Sequence, residues 1–294
     1  MLREDEWAVL VDTIKRRQCT PILGAGVSYP VLPLGGEIAE DWAKEFGYPF
    51  GDTTNLTRVA QFVALKRDRM TPKHLILDRF KRAALPNFAD PNEPYRTLAD
   101  LQLPVYVTTN YDPFMAEALR YRHWDVQREF YRWNKYLKEY LTDTPSIFQR
   151  DKSYTPSPAR PLVFHLHGND QEPQSLVLIE DDYIDFLINT SQKEYTLPLT
   201  VKRALTGQSL LFIGYSIADW NFRVLLGSLN QNLGSGSQRL NVAVMPPPKG
   251  PENESVKTQE YLTKYYEEIK VQVHWATARD FCAELRRRLS QPTS

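Results

Sequence analysis

The stretch Cys19-Thr-Pro-Ile-Leu-Gly-Ala-Gly-Val-Ser28 decides the fold. Its first half is typical of a short buried strand, and its second half is a turn with two glycines. Such a turn lets the backbone approach a phosphate closely, and the amides that follow can hold negative charge. A tight turn without a ligand has the same pattern, so this segment alone leaves both interpretations open. Tyr29 occupies the place of the third glycine of a dinucleotide fingerprint, and helices rather than a second strand are predicted for 36–85, so a standard dehydrogenase is not supported.

Five further segments have the composition of buried strands and alternate with predicted helices. These segments are 105–108, 162–167, 209–213, 240–245 and 271–275. Helices are predicted over 4–17, 35–46, 56–69, 72–85 and 277–289. This alternation predicts an α/β fold, a Rossmann-like parallel sheet with helices on both faces. We expect a single domain over 1–294 with helical or lid insertions at 36–100 and 120–160, the latter lying outside the central sheet.

Composition narrows the class of protein. The 294 residues carry 36 Lys+Arg and 36 Asp+Glu, so we expect no direct binding of nucleic acid. A hydrophobic content of 42% argues against disorder. Two cysteines, Cys19 and Cys282, cannot form a four-cysteine zinc site. The N-terminus does not resemble a signal peptide and no apolar stretch could span a membrane, so we expect a cytoplasmic protein.

A polar motif, Thr108-Thr-Asn-Tyr-Asp112, follows the second predicted strand. Ligands of open α/β sheets bind at the carboxyl ends of the strands. Asn110 and Asp112 can orient sugar hydroxyls or a water molecule there. A purely structural interpretation stays open, in which Asp112 caps the next helix and Asn110 completes a turn.

A histidine motif, Phe164-His-Leu-His-Gly168, ends the third predicted strand. Residues two apart on a strand point to the same face, so His165 and His167 are expected to lie side by side. A metal site is a weak alternative, because the other histidines have no matching spacing. We predict that one histidine is a general base near neutral pH and the other a packed or hydrogen-bonded neighbour. The glycine leaves room for a ligand beside His167, which favours His167 as the base.

The fourth motif, Gly214-Tyr-Ser216, follows the strand at 209–213 and leads to Asp219. Read to Ala218, it also resembles a nucleophile elbow with alanine in place of the last glycine. A serine-hydrolase triad on this elbow would consist of Ser216, Glu267 or Glu268, and His274. That alternative leaves the other three motifs unexplained.

In this order, the four motifs resemble the NAD-binding signature of the sirtuin superfamily. The resemblance covers roughly 18–245 and is closest to the bacterial sirtuin-like branch, whose members act in antiphage defence by destroying NAD. Deacylase sirtuins carry a zinc module with two Cys-x-x-Cys pairs, which this sequence lacks. The resemblance therefore implies no zinc, and an NAD glycohydrolase with NAD as substrate rather than a deacylase. The alternative from another class is a catalytically silent NAD- or ADP-ribose-binding module that scaffolds a partner complex.

The resemblance also implies residue roles. Asn110 would position the attacking water or a ribose hydroxyl, and His167 would accept a proton. The positions implied to bind NAD are Gly24, Ala25, Gly26, Ser28, Thr109, Asn110, Asp112, His167, Gly214, Tyr215, Ser216 and Asp219.

Family habit and length lead us to expect a homo-oligomer and a separate activating protein, either a helicase-like ATPase or an Argonaute-type partner. The candidate contact surfaces are the 120–160 segment and the arginines at 286–288.

Overall fold

A parallel sheet of seven strands forms the centre of the computed structural model, which describes residues 1–141, 144–190, 192, 197–215, 239–248 and 250–291. The strands are β1 (Cys19–Leu23), β2 (Val105–Thr108), β3 (Gln127–Phe130), β4 (Leu162–His165), β5 (Ser209–Ile213), β6 (Asn241–Met245) and β7 (Val271–Trp275). Their order across the sheet is β3-β4-β2-β1-β5-β6-β7, and every neighbouring pair is parallel.

Eleven α-helices surround the sheet in the described part of the chain. They are α1 (Glu4–Lys15), α2 (Gly35–Phe46), α3 (Leu56–Lys66), α4 (Thr71–Arg82), α5 (Pro94–Asp100), α6 (Phe114–Tyr121), α7 (Ile147–Arg150), α8 (Glu180–Thr190), α9 (Leu199–Gly207), α10 (Glu252–Glu268) and α11 (Ala278–Leu289). Two 3₁₀ turns, Ala25–Val27 and Pro173–Ser175, and a π-helical turn, Tyr136–Tyr140, complete the elements. None of the described helices is long and apolar enough to cross a membrane.

The sheet is covered on both faces, as the near-continuous apolar runs of its strands predict. Every residue of β1 is buried. Successive residues of β1 pack into hydrophobic clusters on opposite faces of the sheet, because side chains alternate along a strand. Leu23 belongs to the cluster that includes Leu10 of α1 and Phe281 of α11. Ile22 belongs to the opposite cluster, with Leu205 of α9. The predicted α/β sheet with helices on both faces is confirmed.

A third hydrophobic cluster lies apart from the sheet. It joins the apolar faces of α2, α3 and α4, through residues such as Trp42, Val59 and Ile76, to the loop residues Leu176 and Ile179. This layer therefore packs on the chain that follows β4, the strand that carries the histidine motif.

The six predicted strands are confirmed, but the prediction that all of 120–160 lies outside the sheet is wrong. Residues 127–130 form β3, which pairs with β4 at one edge of the sheet. Its sequence, Gln-Arg-Glu-Phe, has no apolar run, and its two buried charges are neutralised by ion pairs of Arg128 with Asp170 and of Glu129 with Arg132. The arginines at 286–288, a candidate contact surface, all bond within the chain: Arg288 to Glu4, Arg287 to Glu284 and Arg286 to Asn92.

Strand order locates the ligand crevice. The chain runs from β1 to β2, β3 and β4 on one side, and then crosses to β5, β6 and β7 on the other. Ligands of open α/β sheets bind beyond the carboxyl ends of the strands at such a reversal. The ends of β1, β2 and β5 meet there, and three of the four sequence motifs follow these strands.

Candidate active site

Three glycines bring the loops after β1 and β5 into direct backbone contact. The Gly24 amide donates to Ile213 O at 2.9 Å, and the Gly26 amide donates to Gly214 O at 2.8 Å. A Cβ on Gly24 would lie 2.8 Å from Gly214 O, and Gly214 itself has a φ of +84°. Only residues without a side chain permit this approach. The main role of these glycines is therefore to let the loops after β1 and β5 pack closely against each other.

Fewer backbone amides of this loop are available to bind a phosphate than the sequence implies. Its amides at Gly24, Gly26, Val27 and Ser28 all donate to backbone carbonyls. Ala25 is exposed, and the described residues supply no acceptor for its amide. Within 24–28, the Ala25 amide is therefore the donor that remains for a ligand.

Asn110 is fixed by its side-chain amide nitrogen. Nδ2 donates to Gly24 O at 3.1 Å and lies 3.2 Å from Ser28 Oγ and 3.3 Å from Tyr95 OH. A carbonyl oxygen can only accept, so the contact to Gly24 determines which way round the amide lies. Among the described residues Asn110 Oδ1 has no hydrogen-bond donor. The half-buried Asn110 therefore presents a fixed acceptor beside the crevice.

Ser28 is the hub of a buried hydrogen-bond chain. Its Oγ donates to Asp112 Oδ2 at 3.0 Å and lies 2.7 Å from Tyr95 OH. Because its one proton goes to Asp112, Tyr95 donates to Ser28. With Asn110 Nδ2 as a second donor, the hydroxyl is saturated, and Ser28 is only 3% exposed. The implied contact from Ser28 to a phosphate or sugar is thus not available in this arrangement; the side chain positions Asn110 instead.

Asp112 is a buried acid at the start of α6. Its Oδ1 accepts the Phe114 amide at 3.0 Å, which is the capping role anticipated from the sequence. Burial raises the pKa of Asp112 to about 6, while the bonds from Phe114 and Ser28 act in the opposite direction. At neutral pH the carboxylate is charged and holds the Ser28 hydroxyl.

Thr109 and Tyr215 link the ends of the three central strands. Tyr215 OH lies 3.1 Å from Thr109 Oγ1 and 3.2 Å from Leu23 O. Tyr215 is 1% exposed, so its ring is part of the core beneath the loops. Both residues support the crevice from below. The other two positions implied to bind NAD, Ser216 and Asp219, lie outside the described residues.

The two histidines of the third motif have different surroundings. The strand ends at His165, whose Nδ1 lies 2.9 Å from Asn110 O, so His165 is the hydrogen-bonded neighbour. The His167 ring packs edge-on against Phe186 and Tyr183, at centroid distances of 5.0 and 5.7 Å. Burial lowers the pKa of His167 to about 3, below the neutral range expected of the general base. His167 is neutral at pH 7 and retains a lone pair.

The glycine after His167 has a different purpose from the one predicted. Gly168 has a φ of +87°, and a Cβ there would lie 2.2 Å from Ser175 O. Trp133 Nε1 donates to that same carbonyl at 2.8 Å. The space beside Gly168 is filled by the Ser175 backbone rather than left for a ligand, because the loop must fold back tightly after β4.

Tyr95 is a site residue that the sequence did not reveal. It lies on α5, is 1% exposed, and reaches Ser28 and Asn110 through its hydroxyl. An aromatic residue in a short helix after Pro94 has the pattern of an ordinary core residue. Only the folded chain shows that its hydroxyl meets two motifs.

The remaining alternatives find little support in the described residues. Ser216, the nucleophile of the serine-hydrolase alternative, lies outside them. His274 is on β7, two strands from β5, and its Nδ1 accepts the Leu2 amide at 3.2 Å. In the described part of the chain, no three His, Cys, Asp or Glu side chains are grouped so as to hold a metal ion.

Comparison with known families defines the class. The model of the SIR2-like domain family matches residues 104–273, more than half of the chain, and the chain belongs to this family. The match includes Asn110 and His167.

Among similar individual proteins, four carry the name NAD(+) hydrolase ThsA. That of Bacillus cereus (strain MSX-D12) is 29% identical over 208 residues, covering 69% of this chain and 38% of the relative. That of Cytobacillus dafuensis is 27% identical over 197 residues, covering 67% and 35%. That of Enterococcus faecium is 24% identical over 227 residues, covering 74% and 41%. The chain thus spans about two fifths of the length of the relatives it matches.

Proposed function

We propose that this protein is an NAD glycohydrolase. Water attacks C1′ of the nicotinamide ribose, the C1′–N bond breaks, and nicotinamide, ADP-ribose and a proton are released. The observation that carries the proposal is the orientation of Asn110. Its Nδ2 is held by Gly24 O, so its Oδ1 faces away as an acceptor at the reversal of strand order. The name shared by the four relatives supports the same activity, over the part of them that this chain matches.

Asn110 and His167 are the proposed catalytic residues. The Asn110 oxygen accepts a hydrogen bond from the attacking water or from a ribose hydroxyl, and so orients it. Cleavage of a glycosidic bond proceeds through an oxocarbenium-like state, in which a correctly placed oxygen nucleophile is decisive. The neutral His167 ring takes up the proton that the water loses. Because burial disfavours the charged ring, that proton must pass on quickly to solvent or product.

The remaining polar groups of the crevice bind the rest of NAD. The Ala25 amide is the proposed donor to the pyrophosphate, in the loop after β1 that contacts the loop after β5. Ser28 and Asp112 act behind Asn110 rather than on NAD. Thr109, Gly214 and Tyr215 form the floor, and Ser216 and Asp219 are proposed as contacts on the strength of the family motif alone.

The test is turnover of NAD by the purified full chain, followed by chromatographic measurement of nicotinamide and ADP-ribose. Asn110→Ala and His167→Ala are expected to lower the rate by at least about 100-fold, the usual range for removal of a catalytic group. Asn253→Ala and His74→Ala are matched controls, because both side chains are exposed on helices. Equal rates in all four variants would refute the proposed roles.

A binding module is the second candidate. The packing of the His167 ring against Tyr183 and Phe186 favours it, since burial lowers the pKa of this ring to about 3 and makes it a poor proton acceptor at pH 7. Calorimetry with NAD and with ADP-ribose separates the two functions. Tight binding without release of nicotinamide would favour the module, whereas turnover lost in Asn110→Ala with binding retained favours the enzyme.

We also propose a cellular role in antiphage defence through depletion of NAD, together with a homo-oligomeric state and a separate activating protein. The resemblance to the bacterial sirtuin-like branch supports all three. Phage challenge of cells that express the wild type or Asn110→Ala, with NAD measured in extracts, tests the role. Light scattering of the purified chain, alone and with a helicase-like ATPase or Argonaute-type protein encoded nearby, tests the assembly.

A further inference from the structure

The backbone of Asn110 is held as firmly as its side chain. Its amide donates to Thr108 Oγ1 at 3.0 Å, and its carbonyl meets His165 Nδ1 at 2.9 Å. The Thr108 contact comes from the end of β2, two residues before Asn110, whereas His165 belongs to the neighbouring strand β4, where it is in register with Thr108. His165 therefore ties the Asn110 backbone to the neighbouring strand β4.

The tautomer of His165 follows from this geometry. A backbone carbonyl cannot donate, so Nδ1 must carry the proton in order to bond Asn110 O. The opposite nitrogen, Nε2, is buried and has no hydrogen-bond partner among the described residues. A polar atom buried in this way destabilises a fold. The one polar contact of the ring is thus directed at Asn110, and no other contact in the described chain accounts for a histidine here.

A second residue supports the same loop from β3. Arg128 forms an ion pair with Asp170, whose own amide donates to Tyr111 O at 3.0 Å. The carbonyls of two successive residues, Asn110 and Tyr111, are therefore held from the β3–β4 side of the sheet. Burial and the nearby Arg128 charge both lower the pKa of His165, to about 3, which keeps the ring neutral.

We propose that His165 is a positioning residue, whose Nδ1–H holds the Asn110 carbonyl and thereby aims the Asn110 amide at the substrate. It touches no reacting atom and acts through Asn110. The proposal rests on the proposed NAD hydrolysis for its catalytic consequence, but the hydrogen bond itself is independent of that function.

Two variants separate the hydrogen bond from the volume of the ring. In His165→Asn the amide nitrogen lies close to the position of Nδ1 and can still donate, whereas His165→Leu fills space without a donor. Displacement of a reacting group by about 1 Å costs on the order of 100-fold in rate. We expect His165→Leu to lower kcat by about that factor with KM within about threefold, and His165→Asn to stay within about tenfold of wild type. Equal losses in both variants, or a change confined to KM, would overturn the proposal.

A spectroscopic readout decides the point even if the wild type does not turn over NAD. In full-length protein labelled with ¹⁵N, the ring signals of His165, assigned by their loss in His165→Asn, should report the neutral Nδ1–H form at pH 7. The side-chain amide signals of Asn110 should shift or broaden in His165→Leu and remain near their wild-type positions in His165→Asn. A ring with the proton on Nε2, or Asn110 signals unmoved in His165→Leu, would refute the positioning role. Absence of wild-type turnover together with the expected spectra would refute the proposed function alone.

Discussion

The stability of the Asp112→Asn variant relative to wild type is expected to increase as the pH rises. The carboxyl is 5% exposed, and burial raises its pKa from 3.8 to about 6. The folded state therefore binds the proton of Asp112 more tightly than the unfolded chain does. Its destabilising effect is absent below pH 4, grows between pH 4 and 6, and is complete above pH 6.

The magnitude follows from the two pKa values. A tenfold change in proton affinity is about 1.4 kcal/mol, so the full effect is roughly 3 kcal/mol. The ionisation of Asp112 therefore lowers the free energy of unfolding of the wild type by about 1 kcal/mol at pH 4.5 and by about 3 kcal/mol at pH 7.5. The difference in unfolding free energy between Asp112→Asn and wild type should thus rise by about 2 kcal/mol over this range. Any constant offset from altered hydrogen bonds cancels in that change.

Urea denaturation at a series of pH values measures this difference. Asp78→Asn is the matched control: the Asp78 side chain on α4 is 57% exposed, and the variant should remain within about 0.5 kcal/mol of wild type. Asp112→Asn should also lose NAD turnover, because an amide at this position donates to Ser28 and reverses the hydrogen-bond chain to Asn110. A stability difference that is flat, or that falls as the pH rises, would refute the reasoning.

Three further variants test other parts of the site. Gly168→Ala places a Cβ 2.2 Å from Ser175 O at a φ of +87°. This variant should lower the free energy of unfolding by about 3 kcal/mol in denaturant titrations, and a loss below about 1 kcal/mol would contradict the close approach. Tyr95→Phe should lower stability by about 1 kcal/mol and also lower turnover, since Ser28 loses its donor; unchanged kinetics would show that Tyr95 only fills space. Lys73→Met leaves the buried Asp182 carboxylate with only the half-exposed Arg69, 3.4 Å away, as a cation, and should cost about 2 kcal/mol by the same titration, whereas a neutral effect would mean that the 3.0 Å pair of Lys73 and Asp182 is not formed in solution.

Short-range pattern was sufficient for most of the architecture. The buried strands of this sheet are apolar on both faces, so each appears in the sequence as a compact apolar run, and their alternation with helices predicts a parallel sheet. The exception is the edge strand β3, whose buried Arg128 and Glu129 are accommodated by ion pairs with Asp170 and Arg132 that the local sequence does not reveal.

The location of the site could also be predicted from the sequence, since the carboxyl ends of parallel strands lie on one side of the sheet and polar motifs follow β1, β2, β4 and β5 there. The roles within it were not. Ser28 looks like a phosphate ligand until Tyr95, Asn110 and Asp112, between 67 and 84 residues away in sequence, are seen to use all its hydrogen bonds. His167 looks like a base tuned to neutral pH until the rings of Tyr183 and Phe186 are placed around it.

The sequence by itself therefore determined the fold class, the order of the motifs and the end of the strands at which they meet, because these depend on local composition and strand direction. Only the tertiary structure decided which polar groups remain available there. Hydrogen-bond capacity and desolvation depend on neighbours that are distant in sequence, and these become known only when the chain has folded.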